Sequence, residues 1–436
     1  MSQSPGMEEL SLDQAPPLAI PMSFFASAPI FLILAGLALV WRGGELFISP
    51  WVPATLGLAH MGTLGFLGLV MLGALYQMIP VVAVARVPAI RLAHGVHALM
   101  VLGLLLLTYW SMFSMQPGWA AAAFGCIVLA VTIFAVTAGL ALLRSRTPGP
   151  TVAGMRLALL CLVIVMVLGF LMSRGWSAGP FPGDRSLFIQ VHFSIAILGW
   201  VGGLISAVGW QVLPMFYMTP EFPKRQAWTV FGCVAFSVAA VLCTLLLEPD
   251  QASNLAAFAA LPAACAIWLW HPFLVTSAIR KRRRKRSDPS LRFWRIAMYL
   301  APITAFSGAA ALWVSHPTWG ARFDLLFGWF AILGWAGLVM HGMLTRIGPF
   351  LVWFHRFSPY VGRIPVPAMR RLIPDRLMAA GFWLHLATLT LGALAILFAN
   401  DWLARGTGAL LVATGIVIAT YFKTLLGQHP DLSKLP

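Results

Sequence analysis

The stretch that decides the fold runs from His60 to Pro80, HMGTLGFLGLVMLGALYQMIP. A degenerate form of it returns twice. Gly65, Phe66, Gly68, Tyr76, Gln77 and Pro80 are answered by Gly199, Trp200, Gly202, Trp210, Gln211 and Pro214, then by Gly334, Trp335, Gly337, Thr345, Arg346 and Pro349. The offsets are 134 and 135 residues in a chain of 436, and matched copies at one period indicate three equivalent units. Between His60 and Pro80 a helix rising ~1.5 Å per residue covers ~30 Å, about one hydrocarbon thickness. The imidazole is therefore expected near one membrane face and the proline near the other. The paired glycines, three residues apart on one helix face, are expected to let another helix approach closely in lipid.

The composition around this stretch sets the class. With 60% hydrophobic and 10% charged residues and a mean hydropathy of +0.86, the chain has too little polar surface for a soluble globule. It reads as an all-α integral membrane protein. Apolar runs predict spans at 22–41, 54–82, 92–112, 118–143, 155–173, 188–217, 226–247, 252–278, 292–314, 322–356, 376–399 and 403–427. Twelve helices, four per unit, make one membrane domain with pseudo-repeats at 22–143, 155–278 and 292–427, between short tails at 1–21 and 428–436. Period-two alternation is missing, which excludes a closed barrel.

The formal charge of +16 does not point to nucleic acid, because the basic residues sit in short loops between apolar runs. The connections after even-numbered spans hold Arg86, Arg91, Arg144, Arg146, Lys224, Arg225 and the run Arg280 to Arg286, among others, whereas the opposite side has Arg42, Arg174, Arg185, Arg322 and Arg405. The positive-inside rule then places both termini in the cytoplasm of a bacterial inner membrane, with His60 and His192 near the outer face. Glu8, Glu9 and Asp13 without a basic region do not make a secretory signal. All five cysteines fall inside apolar runs without a C-x-x-C pair, so neither a disulfide framework nor a zinc site is expected.

Polar groups inside the spans are few. An imidazole in hydrocarbon needs a partner, which makes intramembrane histidines functional candidates. His60 and His192 lead, near one end of equivalent helices; His341 and His385 fall well inside the tenth and eleventh spans. His94 and His97, three apart on one face, have a spacing compatible with metal and also with a solvated helix start. His271, His316, His355 and His429 sit at span ends, in a loop or in the tail, where water or headgroups satisfy them. Gln77, Gln211 and Arg346 share one repeat position and are expected to snorkel to the interface, the alternative being that they line an inner vestibule. Carboxylates lie in loops or at span edges, so a buried acid chain for proton or cation coupling is missing.

Twelve helices in three units, with a second helix bearing an early histidine, central glycines and a terminal proline, resemble the catalytic subunit of the heme-copper oxidase superfamily. The local run from His60 through Gly65 and Phe66, followed by Gly73 and Pro80, is similar to the second-helix motif of the NnrS family, a related group of heme- and copper-containing proteins linked to nitric oxide stress. Gly334 to Gly337 with Thr345 and Arg346 is similar to a late-helix motif of that family. The resemblance implies a heme-copper oxidase subunit I-like fold and a b-type heme on His60, with His192, His341 or His385 as the other axial ligand. It also admits copper, a diatomic gas as ligand, and further respiratory or membrane subunits as partners. His192 is two residues out of phase with His60, about 200° at helical spacing, so the two need not face one pore.

The departures from that pattern bear on the chemistry. Trp329 stands where the relatives carry a histidine twenty residues before the late proline, and Phe327 where oxidases carry a second one. The seventh span has no histidine, and Ile197 and Val201 are apolar. An oxygen-reducing centre is not expected. Three readings stay open: a heme-binding protein acting in nitric oxide or respiratory stress, a transporter or chaperone for heme or copper, and a membrane subunit that binds neither.

Overall fold

The computed structural model describes residues 14–50, 52–177, 184–283, 288–314, 316–431 and 433. It is all-helical, with no strand among those residues. Twelve helices are long and apolar enough to cross a membrane: α1 Ala19–Phe47, α2 Pro53–Val82, α3 Leu92–Ser114, α4 Pro117–Arg144, α5 Pro150–Gly175, α6 Arg185–Tyr217, α7 Lys224–Leu246, α8 Gln251–Arg280, α9 Ser290–Trp313, α10 Pro317–Tyr360, α11 Asp375–Phe398 and α12 Asp401–Leu426. The chain is a multi-pass membrane protein. Large apolar side chains such as Leu143, Phe236, Phe306 and Trp383 are exposed on its outside, where lipid is their solvent.

Neighbouring helices pack in a circuit. Contacts link α1 to α3, α3 to α4, α4 to α5, α5 to α7, α7 to α8, α8 to α9, α9 to α11 and α11 to α12, and α12 closes onto α1. Inside the circuit, α2 and α6 each meet α10. The most apolar windows of the inner helices α2, α6 and α10 are 94%, 67% and 61% buried, against 28–44% for the outer helices other than α1, which is 61% buried. An inner helix can be apolar all round because it meets side chains on every face.

The three inner helices share a local irregularity. Each carries an eight-residue π-helical stretch, Met61–Gly68, Ile195–Gly202 and Phe330–Gly337, and these begin 134 and 135 residues apart. The second glycine of each sequence pair closes the stretch. A Cβ on Gly68 would stand 3.1 Å from the Thr63 carbonyl oxygen, on Gly202 3.0 Å from that of Ile197, and on Gly337 2.8 Å from that of Ile332. In every case the obstructing carbonyl is five residues back on the same helix, where a π turn puts it. The first glycine does what the sequence suggests: a Cβ on Gly65 would lie 2.5 Å from Phe31 of α1, and on Gly199 2.6 Å from Cys161 Sγ of α5. In α2 and α6 the pair thus combines one close helix approach with one widened turn, whereas at Gly334 of α10 an added Cβ would meet Leu389 at an ordinary 3.4 Å.

A second equivalent position supports each inner helix. A Cβ on Gly73 of α2 would stand 2.8 Å from Phe24 Cβ of α1, and one on Gly342 of α10 2.6 Å from Phe293 Cβ of α9. Between them Ala207 of α6 faces Gly154 of α5, whose added Cβ would lie 2.5 Å away. Small residues at these crossings bring backbones close where apolar burial gives helices little reason to associate.

Candidate functional site

His60 ends the α-helical segment Pro53–His60 that opens α2, immediately before the π stretch, and is partly buried. Its Nδ1 lies 2.8 Å from the Leu56 carbonyl oxygen. A carbonyl only accepts, so Nδ1 carries the proton and Nε2 keeps its lone pair. This tautomer, fixed by a backbone carbonyl, is the form in which an imidazole ligates a metal.

His192 lies in α6, three residues before the second π stretch, and within Coulombic reach of His60. The two rings, on different inner helices, are thus electrostatically coupled, which the repeat phase alone did not require. The His192 ring rests against Gly169 of α5, where an added Cβ would stand 3.3 Å from Cε1. Its Nδ1 is buried without a hydrogen-bond partner. A buried polar atom left in this way costs ~1–3 kcal/mol.

His341 and His385 are also brought together, in a separate cluster. His385 Nε2 donates to the Leu333 carbonyl in the third π stretch at 3.0 Å. Its Nδ1 then accepts from His341 Nδ1 at 3.0 Å, and His341 Nε2 faces the Tyr421 hydroxyl at 3.2 Å. Both histidines are wholly buried. The Tyr421 O–H has two acceptors in reach, His341 Nε2 and the Leu377 carbonyl at 3.3 Å; with its proton toward His341, the chain runs Tyr421 O–H to His341, His341 N–H to His385 and His385 N–H to the Leu333 carbonyl. In this ordering every imidazole nitrogen is engaged within the protein.

His94 and His97 occupy the start of α3. His94 is exposed, and His97 Nε2 pairs with Ser27 Oγ of α1 at 2.9 Å. Among the described residues, no group of three or more His, Cys, Asp or Glu side chains is arranged to hold a metal ion.

The departures on α10 are filled by aromatic packing. Trp329 Nε1 donates to the Leu389 carbonyl at 3.0 Å, and its ring occupies the space that a Cβ on Gly392 would claim. Phe327 meets Phe193 and Trp268 with ring centroids 5.4 Å apart, and Trp268 meets Trp335 at 6.1 Å.

One histidine escapes the sequence reading. His271, expected at a solvated span end, is wholly buried, with its ring edge-on to Trp210 at 4.9 Å and against Gly209 of α6. Both its ring nitrogens lack partners. Its position along the span does not reveal which side of α8 is turned inward.

Arg346 also differs from expectation. It does not snorkel but bridges elements, donating through Nη2 to Asp288 Oδ2 at 2.5 Å and to the Phe216 carbonyl at 3.3 Å. Gln77, at the matching position of α2, is buried with Oε1 unpaired.

No protein-family model matches the chain, and no curated protein matches it either.

Proposed function

We propose that this is a heme-binding membrane protein of the heme-copper oxidase superfamily, similar in role to the NnrS family and lacking an oxygen-reducing centre. It would reside in a bacterial inner membrane with both termini cytoplasmic, acting in nitric oxide or respiratory stress. The observation that carries this reading is the tautomer of His60: Nδ1–H is tied to the Leu56 carbonyl, and Nε2 makes no described hydrogen bond. His192, electrostatically coupled to His60 and with an unpartnered ring nitrogen, is the second residue that would hold such a group. His341 and His385 fit that role less well, since each already spends both nitrogens. The recurrence of the π stretch on three inner helices supports three pseudo-repeats around a common axis.

A b-type heme held by His60 alone would supply an iron free to bind a diatomic gas, whereas one held by both histidines would supply electron transfer. The chain's own part is to fix the His60 ring and keep water from it. Phe327 and Trp329, which cannot ligate, together with their aromatic neighbours support a site without a second metal. The test is the optical spectrum of purified protein. A Soret band is expected in the wild type and is expected to be lost or shifted in His60→Ala. No band in wild type, or one unchanged in both His60→Ala and His192→Ala, would remove the reading.

A further inference from the structure

The third π stretch is tied down differently from the other two. In α2 and α6 the first N–H beyond the stretch, of Leu69 and of Gly203, donates to the carbonyl five residues back, of Leu64 and of Leu198, as well as to the one three back. In α10 the matching N–H, of Leu338, goes to the Trp335 carbonyl three back. The carbonyl five back, of Leu333, takes the His385 Nε2–H at 3.0 Å. A side chain of α11 thus fills a place that the other two units fill from within the helix.

The packing shows the same substitution. An added Cβ on Gly65 or Gly199 would stand 2.5 or 2.6 Å from the neighbouring helix, but one on Gly334 would meet Leu389 of α11 at 3.4 Å. What α10 lacks in close contact it has in hydrogen bonds to α11: His385 to Leu333, and Trp329 Nε1 to the Leu389 carbonyl. Behind the His385 ring stands His341, bonded to its Nδ1 at 3.0 Å. The ring cannot turn away from Leu333 without breaking that second bond.

The residue beside Leu333 reaches the His60 segment. Ile332 packs on Gly62 of α2, two residues beyond His60, so tightly that a Cβ on Gly62 would stand 3.0 Å from Ile332 Cγ2. A π turn holds one residue more than an α turn, and its loss would rotate one side of the helix against the other by ~100°. Ile332 would then leave Gly62.

We propose that His385 is a positioning residue for His60. Its bond to the Leu333 carbonyl holds the third π stretch in the shape that seats Ile332 against Gly62, and so fixes the segment that carries the His60 ring. The effect on a heme rests on the heme-binding reading; the effect on the contact between α2 and α10 does not.

The first measurement needs no cofactor. In Gly62→Cys with Ile332→Cys the two Cβ atoms lie no more than ~4.5 Å apart, within disulfide reach. Oxidation of membranes holding the full-length protein is expected to give a faster-migrating band on non-reducing electrophoresis, absent from either single variant. The band is expected to persist on adding His385→Gln, whose amide can both donate to Leu333 and accept from His341, and to be lost on adding His385→Leu. Should His385→Leu fail to accumulate, His341→Leu with His385→Leu replaces it, because Tyr421 keeps the Leu377 carbonyl as acceptor at 3.3 Å. The second measurement is the Soret maximum and the ferric electron paramagnetic resonance spectrum of the His385 variants without the cysteines. Both are expected to shift in His385→Leu and to stay as in wild type in His385→Gln, at equal heme content. No cross-link in the parent pair, a cross-link undiminished by His385→Leu or the double leucine variant, or an unchanged spectrum in His385→Leu beside a heme-loaded wild type would overturn the proposal. A wild type without heme removes the heme-binding reading, and the cross-link alone then decides whether His385 holds the His60 segment.

Discussion

At the scale of single residues, partners decide the role of each imidazole. His60 and His341 are both histidines on inner helices, yet one has a single nitrogen fixed and the other has two. The coupling in the second cluster can be measured. Tyr421→Phe removes the hydroxyl facing His341 Nε2 and leaves a buried acceptor without a donor, at a cost of ~1–3 kcal/mol. Chemical denaturation in detergent is expected to show that loss. Adding His341→Leu to Tyr421→Phe is expected to cost less than the sum of the single variants, and strict additivity would mean that the two side chains do not share a bond. Arginines at helix ends act through partners too. Arg156 donates to the Leu142 and Ser145 carbonyls after α4, and Arg405 to those of Val40 and Trp41 at the end of α1. These satisfy carbonyls that a helix terminus leaves open, so residues read only as topological signals also cap helices.

At the scale of elements, the π stretches make a graded prediction. Alanine at Gly337 would put Cβ 2.8 Å from a backbone carbonyl, at Gly202 3.0 Å and at Gly68 3.1 Å. Gly337→Ala is therefore expected to destabilise most and Gly68→Ala least, within the ~1–3 kcal/mol typical of overpacking. Gly125→Ala and Gly232→Ala, with open space around the added carbon, are expected to be neutral or to stabilise slightly through helix propensity. Thermal midpoints of the five variants check this, and equal effects at all five positions would refute the assignment of the second glycine to the widened turn. The helices themselves were legible. Spans predicted at 54–82, 92–112 and 252–278 are observed as Pro53–Val82, Leu92–Ser114 and Gln251–Arg280, because an apolar run of that length crosses a membrane whatever its neighbours are. The widened turns were not legible, since a glycine pair also serves close helix crossing.

At the scale of the whole molecule, what stayed hidden is how one helix is turned towards another. His341 and His385 are 44 residues apart on different helices, and no periodicity within either one predicts that they touch. The phase offset between His60 and His192 compares each with its own unit and carries no information about the gap between units. The burial of His271 likewise depends on how α8 is turned against Trp210 of α6. Membrane orientation is testable at this scale. If the arginine-rich connections face the cytoplasm, green fluorescent protein fused after the last residue will fluoresce in a bacterial host and alkaline phosphatase fused there will be inactive. An active phosphatase would invert the orientation.

The contact between the first and last helices carries one more consequence. Gly36 and Gly408 are so close that a Cβ on either would stand 2.5 to 2.6 Å from the carbonyl oxygen of the other, and Phe25 lies 6.4 Å from Phe422 near the opposite ends of the same helices. The seam is antiparallel and as tight as any internal one, so covalent order around the bundle is interchangeable with spatial order. A gene in which a flexible linker joins the end of α12 to the start of α1, and which is cut open between Arg144 and Pro150, should yield a circularly permuted protein with the parent's thermal midpoint within a few degrees. Collapse of that permutant would show that synthesis from α1 onward, rather than the finished packing, dictates how the bundle assembles.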